Sequence, residues 1–304
     1  MSVAAVVVTY NRKEELRKNL QAVLEQTLLV DRYYIIDNHG NDGTEEMLRV
    51  EGFLDHPVIE YLYLPENIGG AGGFYTGVKK AYEDGYDYIC LMDDDGRPAD
   101  AEMMKCLVEM ADAVHEKTTA LMMNALVLDL DGEQMAFGLT GISSQADAYE
   151  SAQDGLLYGT INPFNGTLIS KELIDKIGFP NPDFFIKGDE EDYQIRAVNA
   201  GAVVATVVAS VYLHPMAEKK SVCIGKKEFR ETTEAPWKEY YRARNLTYIF
   251  RREGRNRLWM KHVIRQSLLA LCYSDRRCKT MWRILKGCMH GLGGKLGRTV
   301  EPGQ

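Results

Sequence analysis

Four times before residue 115 a short apolar run is followed by a segment whose apolar residues recur at helical spacing. Val3–Thr9 precedes 13–26, where Leu16, Leu20, Val23 and Leu24 share one stripe, and Tyr33–Ile36 precedes 44–50. Val58–Leu64 then precedes 74–83, and Tyr86–Met92 precedes a helix expected from an Asp100 N-cap to about Val114. Uninterrupted apolar strands are those buried on both faces, and alternating strands and helices give parallel strands joined by right-handed crossovers. The expected fold is therefore α/β, a doubly wound, mostly parallel sheet whose ligands bind beyond the carboxyl ends of its strands.

The middle of the chain is less regular. Ala125–Leu130 with the turn Asp131-Gly132 reads as a hairpin arm, residues 138–163 as loop, and Asp189–Ala200 as a helix leading into the apolar run Ala202–Val208. From Trp237 the sequence turns basic and helical. Residues 1–236 hold 20 Lys+Arg against 40 Asp+Glu (−20), and residues 237–304 hold 16 against 4 (+12), which together give the net charge of −8. This split predicts a domain of residues 1–236 and a basic helical region of 237–304 that faces something anionic.

With 45% apolar residues, 27 glycines and 9 prolines the chain is neither disordered nor fibrous. No apolar run is long enough to span a bilayer, and Met1–Ala4 enters the first strand without a basic leader, so no secretory signal is expected. Six scattered cysteines without a Cys-x-x-Cys pair fit a reducing cytoplasm better than a disulfide framework.

Each strand ends in polar residues: Thr9-Tyr10-Asn11-Arg12, then Asp37–Thr44, then Pro65–Phe74, then Asp93-Asp94-Asp95-Gly96. Adjacent carboxylates repel, and a hard divalent cation compensates them while sharing its shell with substrate phosphates; the alternative is a solvated acidic turn. Gly69–Gly73 admits either a phosphate approached by backbone amides or tight backbone packing. It is neither Gly-x-Gly-x-x-Gly nor a P-loop. Asp189-Glu190-Glu191-Asp192 suits a helix start electrostatically, and equally a general base for an arriving hydroxyl. His214, after an apolar strand, is either a structural histidine or a metal ligand.

Taken in order, Thr9–Arg12, Asp37–Thr44, Glu66–Phe74, Met92–Asp95 and Phe184–Arg196 resemble an inverting family 2 glycosyltransferase of the GT-A fold, in particular the bacterial galactofuranosyltransferases and their rhamnosyltransferase relatives. The resemblance covers residues 3–250. It implies that Thr9, Tyr10, Arg12 and Asp37 line the base and ribose of a nucleotide-sugar donor, with Asn67 and Gly70 beside the donor and Asp94 close to ribose or sugar. It further implies Mg²⁺ or Mn²⁺ on Asp93, Asp95 and His214, and Glu190, second of the pair Asp189-Glu190, as catalytic base. Trp237–Asn245 matches the aromatic-plus-Arg-Asn segment that closes such domains. Gly188 stands where the galactofuranosyl enzymes carry tryptophan, and the chain lacks the extra domains of polymerising members, which implies addition of one or a few sugars.

The expected reaction moves a sugar, galactofuranose from UDP-galactofuranose before rhamnose from dTDP-rhamnose, onto a glycan or polyprenyl-linked acceptor in polysaccharide synthesis. A rival from another class is a haloacid-dehalogenase-type phosphatase, whose Asp-x-Asp-Gly signature Asp93–Gly96 imitates, although Arg97 replaces its threonine. In the tail, Leu258, Trp259, Val263, Ile264, Leu268, Leu269 and Leu271 lie among Arg255, Arg257, Lys261 and Arg265. This pattern suits either peripheral contact with the inner face of the plasma membrane or packing on protein, including a homo-oligomer. No nucleic-acid partner is expected, because no recognition module accompanies the basic tract.

Overall fold

Strand β1 is Val3–Thr9 and every residue in it is buried, which is why it reads as unbroken apolar sequence. Its odd positions Val3, Ala5 and Val7 face helices α1 (Lys13–Leu24) and α4 (Met103–His115). Its even positions Ala4, Val6 and Val8 face α3 (Gly69–Glu83) and α6 (Lys171–Ile177). Both faces of the sheet are thus covered, as the βα alternation predicts.

The computed structural model describes residues 1–139, 141–217, 219–224, 227–232 and 234–303. It divides into two units, Met1–Pro180 with Tyr193–Met216, and Asn181–Asp192 with Ala217–Gln304.

In the first unit β1 pairs in parallel with β2 (Arg32–Asp37) and β4 (Tyr88–Asp93), and β2 with β3 (Ile59–Tyr63). Beyond β4 come β8 (Thr167–Ser170), β6 (Leu121–Leu128), β9 (Val203–Leu213) and the short β5 (Arg97–Pro98), with β7 (Leu156–Tyr158) also on β9. β8 is antiparallel to both neighbours, and β5 and β7 are antiparallel to β9. β6 and β9 are parallel, so six of the nine described strands run one way. The doubly wound, mostly parallel sheet is borne out.

Three local expectations need correction. Residues 125–130 belong mainly to β6, a fully buried interior strand, and not to a hairpin arm. The turn at Asp131-Gly132 forms, with Gly132 at φ +74°, but its return contributes only the bridge Leu128–Met135. A strand covered on both faces carries no alternation to betray its place in the sheet. The segment 138–163 is not simply loop: it holds α5 (Gln145–Ser151), capped by Ser144, and β7; Thr140 lies outside the described residues. Asp100 is not the N-cap of α4, because its Oδ1 accepts the Glu102 N–H and the helix begins three residues later, at Met103.

The glycine segment is the first turn of α3, not a loop before it. A Cβ on Gly73 would lie 2.4 Å from Val8 Cγ1, and one on Gly77 2.3 Å from Val6 Cγ1, so these two glycines let α3 rest directly on β1. Nothing lies within 4 Å of a Cβ on Gly70.

The second unit contains the hairpin of β10 (Lys219–Ile224) and β11 (Lys227–Thr232) and the helices α8 (Pro236–Arg252), α9 (Asn256–Tyr273) and α10 (Arg277–Leu292). Ala243, Val263, Ala270, Met281, Ile284 and Cys288 form the seam between the three helices. Gly287 and Gly291 permit close approach, since a Cβ there would meet Tyr240 O at 2.5 Å and Arg244 O at 2.3 Å. The apolar residues expected to make one face of α9 divide: Trp259 Nε1 donates to Thr247 Oγ1 and Val263 packs inward, whereas Leu258, Ile264, Leu268 and Leu271 are exposed. Helix α7 (Asp189–Asn199) opens with the four acids. No helix among the described residues is long and apolar enough to cross a membrane. Cys90, Cys106, Cys272, Cys278 and Cys288 are free thiols, and the side chain of Cys223 lies outside the described residues.

Candidate active site

The carboxyl end of β4 delivers Asp93, Asp94 and Asp95 to the edge of the sheet, and β9, two strands beyond β8, delivers His214 to the same edge. Ligand atoms of Asp93, Asp95 and His214 lie within 4.8 Å of one another. His214 Nε2 stands 3.2 Å from Asp95 Oδ1, while its Nδ1 is 2.8 Å from Pro215 O and its ring tilts against Phe137. The Pro215 carbonyl suits Nδ1 as a donor, so Nε2, which faces Asp95, is the nitrogen that shares a proton with that carboxylate or, deprotonated, would hold a cation. Two carboxylates and an imidazole form a donor set suited to a divalent cation such as Mg²⁺ or Mn²⁺.

Asp94 turns the other way and is buried, accepting from Thr9 Oγ1 (2.9 Å) and Arg12 Nη1 (3.2 Å). Arg12 also reaches Asp95 Oδ2 at 2.5 Å. Burial pushes the Asp94 carboxyl up to about 6, against the pull of Arg12. Burial pushes Asp95 up as well, but the hydrogen bond and charge of His214, with Arg12, outweigh it and hold that carboxyl below its ordinary range. In His214 the loss of solvent is outweighed by Asp95, and its pKa is raised. Adjacent residues in one turn therefore differ in environment: the Asp95 carboxyl is held below its ordinary range, and buried Asp94 is held by a threonine and an arginine.

Behind this turn sits a polar bracket that the sequence reading missed. Asn19, fully buried in α1, donates from Nδ2 to Gly96 O at 2.7 Å and accepts at Oδ1 from the Tyr33 hydroxyl. Tyr212 donates to Asp93 O at 3.1 Å. Gly96 has no room for a side chain, because a Cβ would come 2.3 Å from Tyr212 Cε1. The available signal was an asparagine on the apolar stripe of Leu16, Leu20 and Val23, where an unpaired amide is costly.

The ends of β1 and β2 make a second polar wall in the same unit. Asp37, at the end of β2, accepts from Gly40 N and from the Tyr61 hydroxyl, both at 2.7 Å. Its burial nevertheless raises its pKa. Asn11, in the left-handed region at φ +55°, accepts from Asn41 N, joining the two strand-end loops. Asn38 Oδ1 accepts from Ile68 N and Asn67 Oδ1 from Gly69 N, fixing the entry to α3. Tyr10 is exposed. The structure thus brings Thr9, Arg12, Asp93, Asp94, Asp95 and His214 into one connected cluster, with Asp37 and Asn67 in the neighbouring strand-end loops.

Asp189 and Glu190 belong to the second unit, at the first turn of α7. Asp189 is buried, and loss of solvent, reinforced by the charge of Glu190, raises its pKa well above the usual carboxylate range; the two side chains are hydrogen-bonded. Burial pushes Glu191 up to about 7. Asp192 pairs with Arg252 at 2.7 Å.

The loop before these acids has left-handed backbone at Phe185 (φ +64°), Lys187 (φ +65°) and Gly188 (φ +93°). It is clamped by two fully buried residues of α8. Arg244 donates to Asp183 O and Phe184 O, and Asn245 Nδ2 to Phe184 O, Ile186 O and Lys187 O at 3.0, 3.0 and 2.6 Å. A Cβ on Gly188 would touch Asn245 Cβ at 3.1 Å, so the glycine answers both the left-handed φ and the lack of space. Lys187 pairs with Glu234 at 2.6 Å.

A cavity of about 330 Å³ in the first unit, lined by Ile142, Gln153, Leu157 and Tyr158, contains none of these residues. One of about 140 Å³ in the second unit is lined by Glu191, Glu239, Arg242, His262, Arg265 and Gln266.

Comparison with known proteins accords with this geometry. Residues 4–116 match the model for glycosyl transferase family 2. The chain is 30% identical to galactofuranosyltransferase GlfT1 of Mycobacterium tuberculosis (strain H37Rv), over 98% of this chain and 97% of the relative. It is 23% identical to the dTDP-rhamnosyl transferase RfbF of Shigella flexneri, over 83% and 80%. Among solved structures, a mannosyltransferase of Pyrobaculum calidifontis in complex with GDP-Man and Mn²⁺ superposes with a TM-score of 0.56 at 14% identity, covering 96% of this chain and 87% of that one.

Proposed function

The chain belongs to glycosyltransferase family 2 and has the GT-A fold, and from that premise we propose that it moves galactofuranose from UDP-galactofuranose onto a hydroxyl of a glycan or polyprenyl-linked acceptor, with inversion, in cell-surface polysaccharide synthesis. The observation that carries the reading is the meeting of Asp93, Asp95 and His214 at the carboxyl edge of a doubly wound sheet, where a donor diphosphate would lie. Identity of 30% along nearly the whole chain to a galactofuranosyltransferase supports galactofuranose over rhamnose as the sugar. Family membership sets aside the phosphatase reading of Asp93–Gly96.

We assign donor binding and catalysis to residues 1–236 and a supporting role to the basic helices that follow. Mg²⁺ or Mn²⁺ held by Asp93, Asp95 and His214 would supply Lewis-acid compensation for the charge on the departing diphosphate. Thr9 and Arg12 hold Asp94 in one orientation, so its carboxylate is fixed as an acceptor for a hydroxyl of the ribose or the donor sugar. Asp37 and Tyr10 stand at the adjacent strand ends for the nucleoside, and Asn67 and Gly70 at the start of α3 for the donor.

In the transfer step the acceptor oxygen forms a bond to the anomeric carbon as the carbon–oxygen bond to the diphosphate breaks, the electron pair leaving on UDP. Attack from the opposite face inverts that carbon. Glu190 accepts the acceptor proton on a carboxylate oxygen. Asp189, buried and hydrogen-bonded to Glu190, orients it.

A transfer assay with UDP-galactofuranose tests this reading. Glu190→Gln is expected to lower turnover at least about a hundredfold, the lower range of general-base contributions, with UDP affinity by calorimetry unchanged. A variant that keeps a tenth of the turnover refutes the base assignment. Equal or faster turnover with dTDP-rhamnose refutes the donor assignment.

A further inference from the structure

Helices α9 and α10 are apolar on more than the stripe that packs on the fold. Ala270, Ile284 and Cys288 lie in the seam with α8, yet each helix also carries a second apolar stripe that is exposed. On α9 the exposed side chains Met260, Ile264, Leu268 and Leu271 recur at one helical stripe, and on α10 Trp282, Leu285, Met289 and Leu292 do the same. Ile264 is 60% exposed, Leu268 57% and Trp282 59%, so more than half of each residue's surface meets solvent. A surface helix normally turns its charged face outward, and contiguous exposed apolar surface marks a contact with something else.

The charge beside the stripes identifies the partner. Arg257, Lys261 and Arg265 run along α9 one position after Met260 and Ile264 in the helical rotation, and Lys279, Arg283 and Lys286 flank the stripe of α10. Neither helix contains an aspartate or glutamate. A merely solvated helix carries both signs. Two copies joined through the same face would set arginine and lysine rows against themselves, which repels. Apolar stripes bordered by cations alone match one environment, the boundary between acyl chains and anionic headgroups.

We propose that the α9–α10 face docks the protein onto an anionic lipid surface, the two apolar stripes entering the acyl boundary and the flanking arginines and lysines meeting headgroup phosphates. No described helix is long and apolar enough to cross a membrane. Docking on such a surface does not depend on which sugar is transferred.

Cosedimentation of the full chain with vesicles tests it, using phosphatidylcholine alone and phosphatidylcholine with about a third phosphatidylglycerol. Binding to the anionic vesicles at low salt is expected, weakening steeply by 0.5 M NaCl, with little binding to neutral vesicles. Lys261→Ala with Lys286→Ala should weaken partition by roughly twenty-five-fold, since each basic residue near such a surface contributes about fivefold. Ile264→Asp with Leu285→Asp, at exposed positions where the circular dichroism spectrum should not change, should abolish it. No binding to anionic vesicles overturns the proposal, as does binding indifferent to salt and to both variant pairs. A stable dimer by light scattering that Ile264→Asp dissociates also overturns it, because the face would then be covered by a second copy.

Discussion

Asn245→Ala should cost more than any exposed substitution in the second unit, and the structure allows the magnitude to be worked out. The amide of Asn245 has two protons, shared among Phe184 O, Ile186 O and Lys187 O, and its oxygen accepts from Arg244 Nε at 2.7 Å. Two neutral hydrogen bonds are worth about 1 kcal/mol each, and one from a charged donor about 1.5–3 kcal/mol. All lie where water cannot replace them, so the loss comes to roughly 3–5 kcal/mol. Relaxation of the left-handed backbone at Phe185 and Lys187 offsets part of this, about 1 kcal/mol for each residue that escapes. The net expectation is a destabilisation of about 2–4 kcal/mol and a fall in Tm of roughly 5–10 °C. Calorimetry and urea titration measure the stability, and a transfer assay the consequence: kcat should fall well before the protein unfolds, because the loop leads directly into Asp189 and Glu190. Asn245→Asp keeps the acceptor for Arg244 but faces three carbonyls with a carboxylate, and should be at least as damaging. If Asn245→Ala costs less than about 1 kcal/mol with kcat intact, the clamp is not what holds this loop.

Gly73→Ala places a methyl 2.4 Å from Val8 Cγ1 in a packed interface, and should destabilise by about 1–3 kcal/mol in thermal melts; Gly70→Ala, with open space around it, should cost far less. UDP with Mn²⁺ should raise Tm beyond UDP alone, a ligand at a hundred times its Kd adding about 2.7 kcal/mol. Asp95→Asn should abolish the Mn²⁺ increment, and an undiminished increment would move the metal elsewhere. Burial, helped by the positive charge of Arg242, lowers His262 from 6.5 to about 4. The folded state therefore prefers the neutral ring, and its contribution is complete above pH 6.5 and is lost as pH falls toward 4. His262→Phe should flatten that acid limb by at most about 3 kcal/mol; Glu191, raised toward 7 in the same cavity beside Glu239, Arg242 and Arg265, slopes the other way and sets the background of the comparison.

The legible part of the molecule was what short stretches of chain decide locally. Val3–Thr9 and Tyr88–Asp93 read as strands because residues covered on both faces must be apolar throughout. Their polar ends marked the site edge because polar side chains are disfavoured inside the sheet. Asp93, Asp95 and His214 were named together from the sequence by resemblance to a family, and the structure places their ligand atoms within 4.8 Å. The bracket of Asn19, Tyr33, Gly96 and Tyr212 was not legible, since a buried amide or hydroxyl has meaning only once its partner is known. The same holds for Asn245, whose three carbonyl partners lie some sixty residues earlier in the chain.

Alternation of apolar runs and helical stripes follows from covalent period, 2 for a strand and 3.6 for a helix, and each residue carries that information with it. Which strand neighbours which is a different kind of fact. The order β4-β8-β6-β9 arises from closing long loops so that every buried amide and carbonyl finds a partner, and that constraint spans the first unit. Through it β6 became an interior strand where the local pattern suggested a hairpin, and His214 came beside Asp95. Side-chain chemistry therefore announced what the site would contain, and only the packing of distant segments set the distances at which it works.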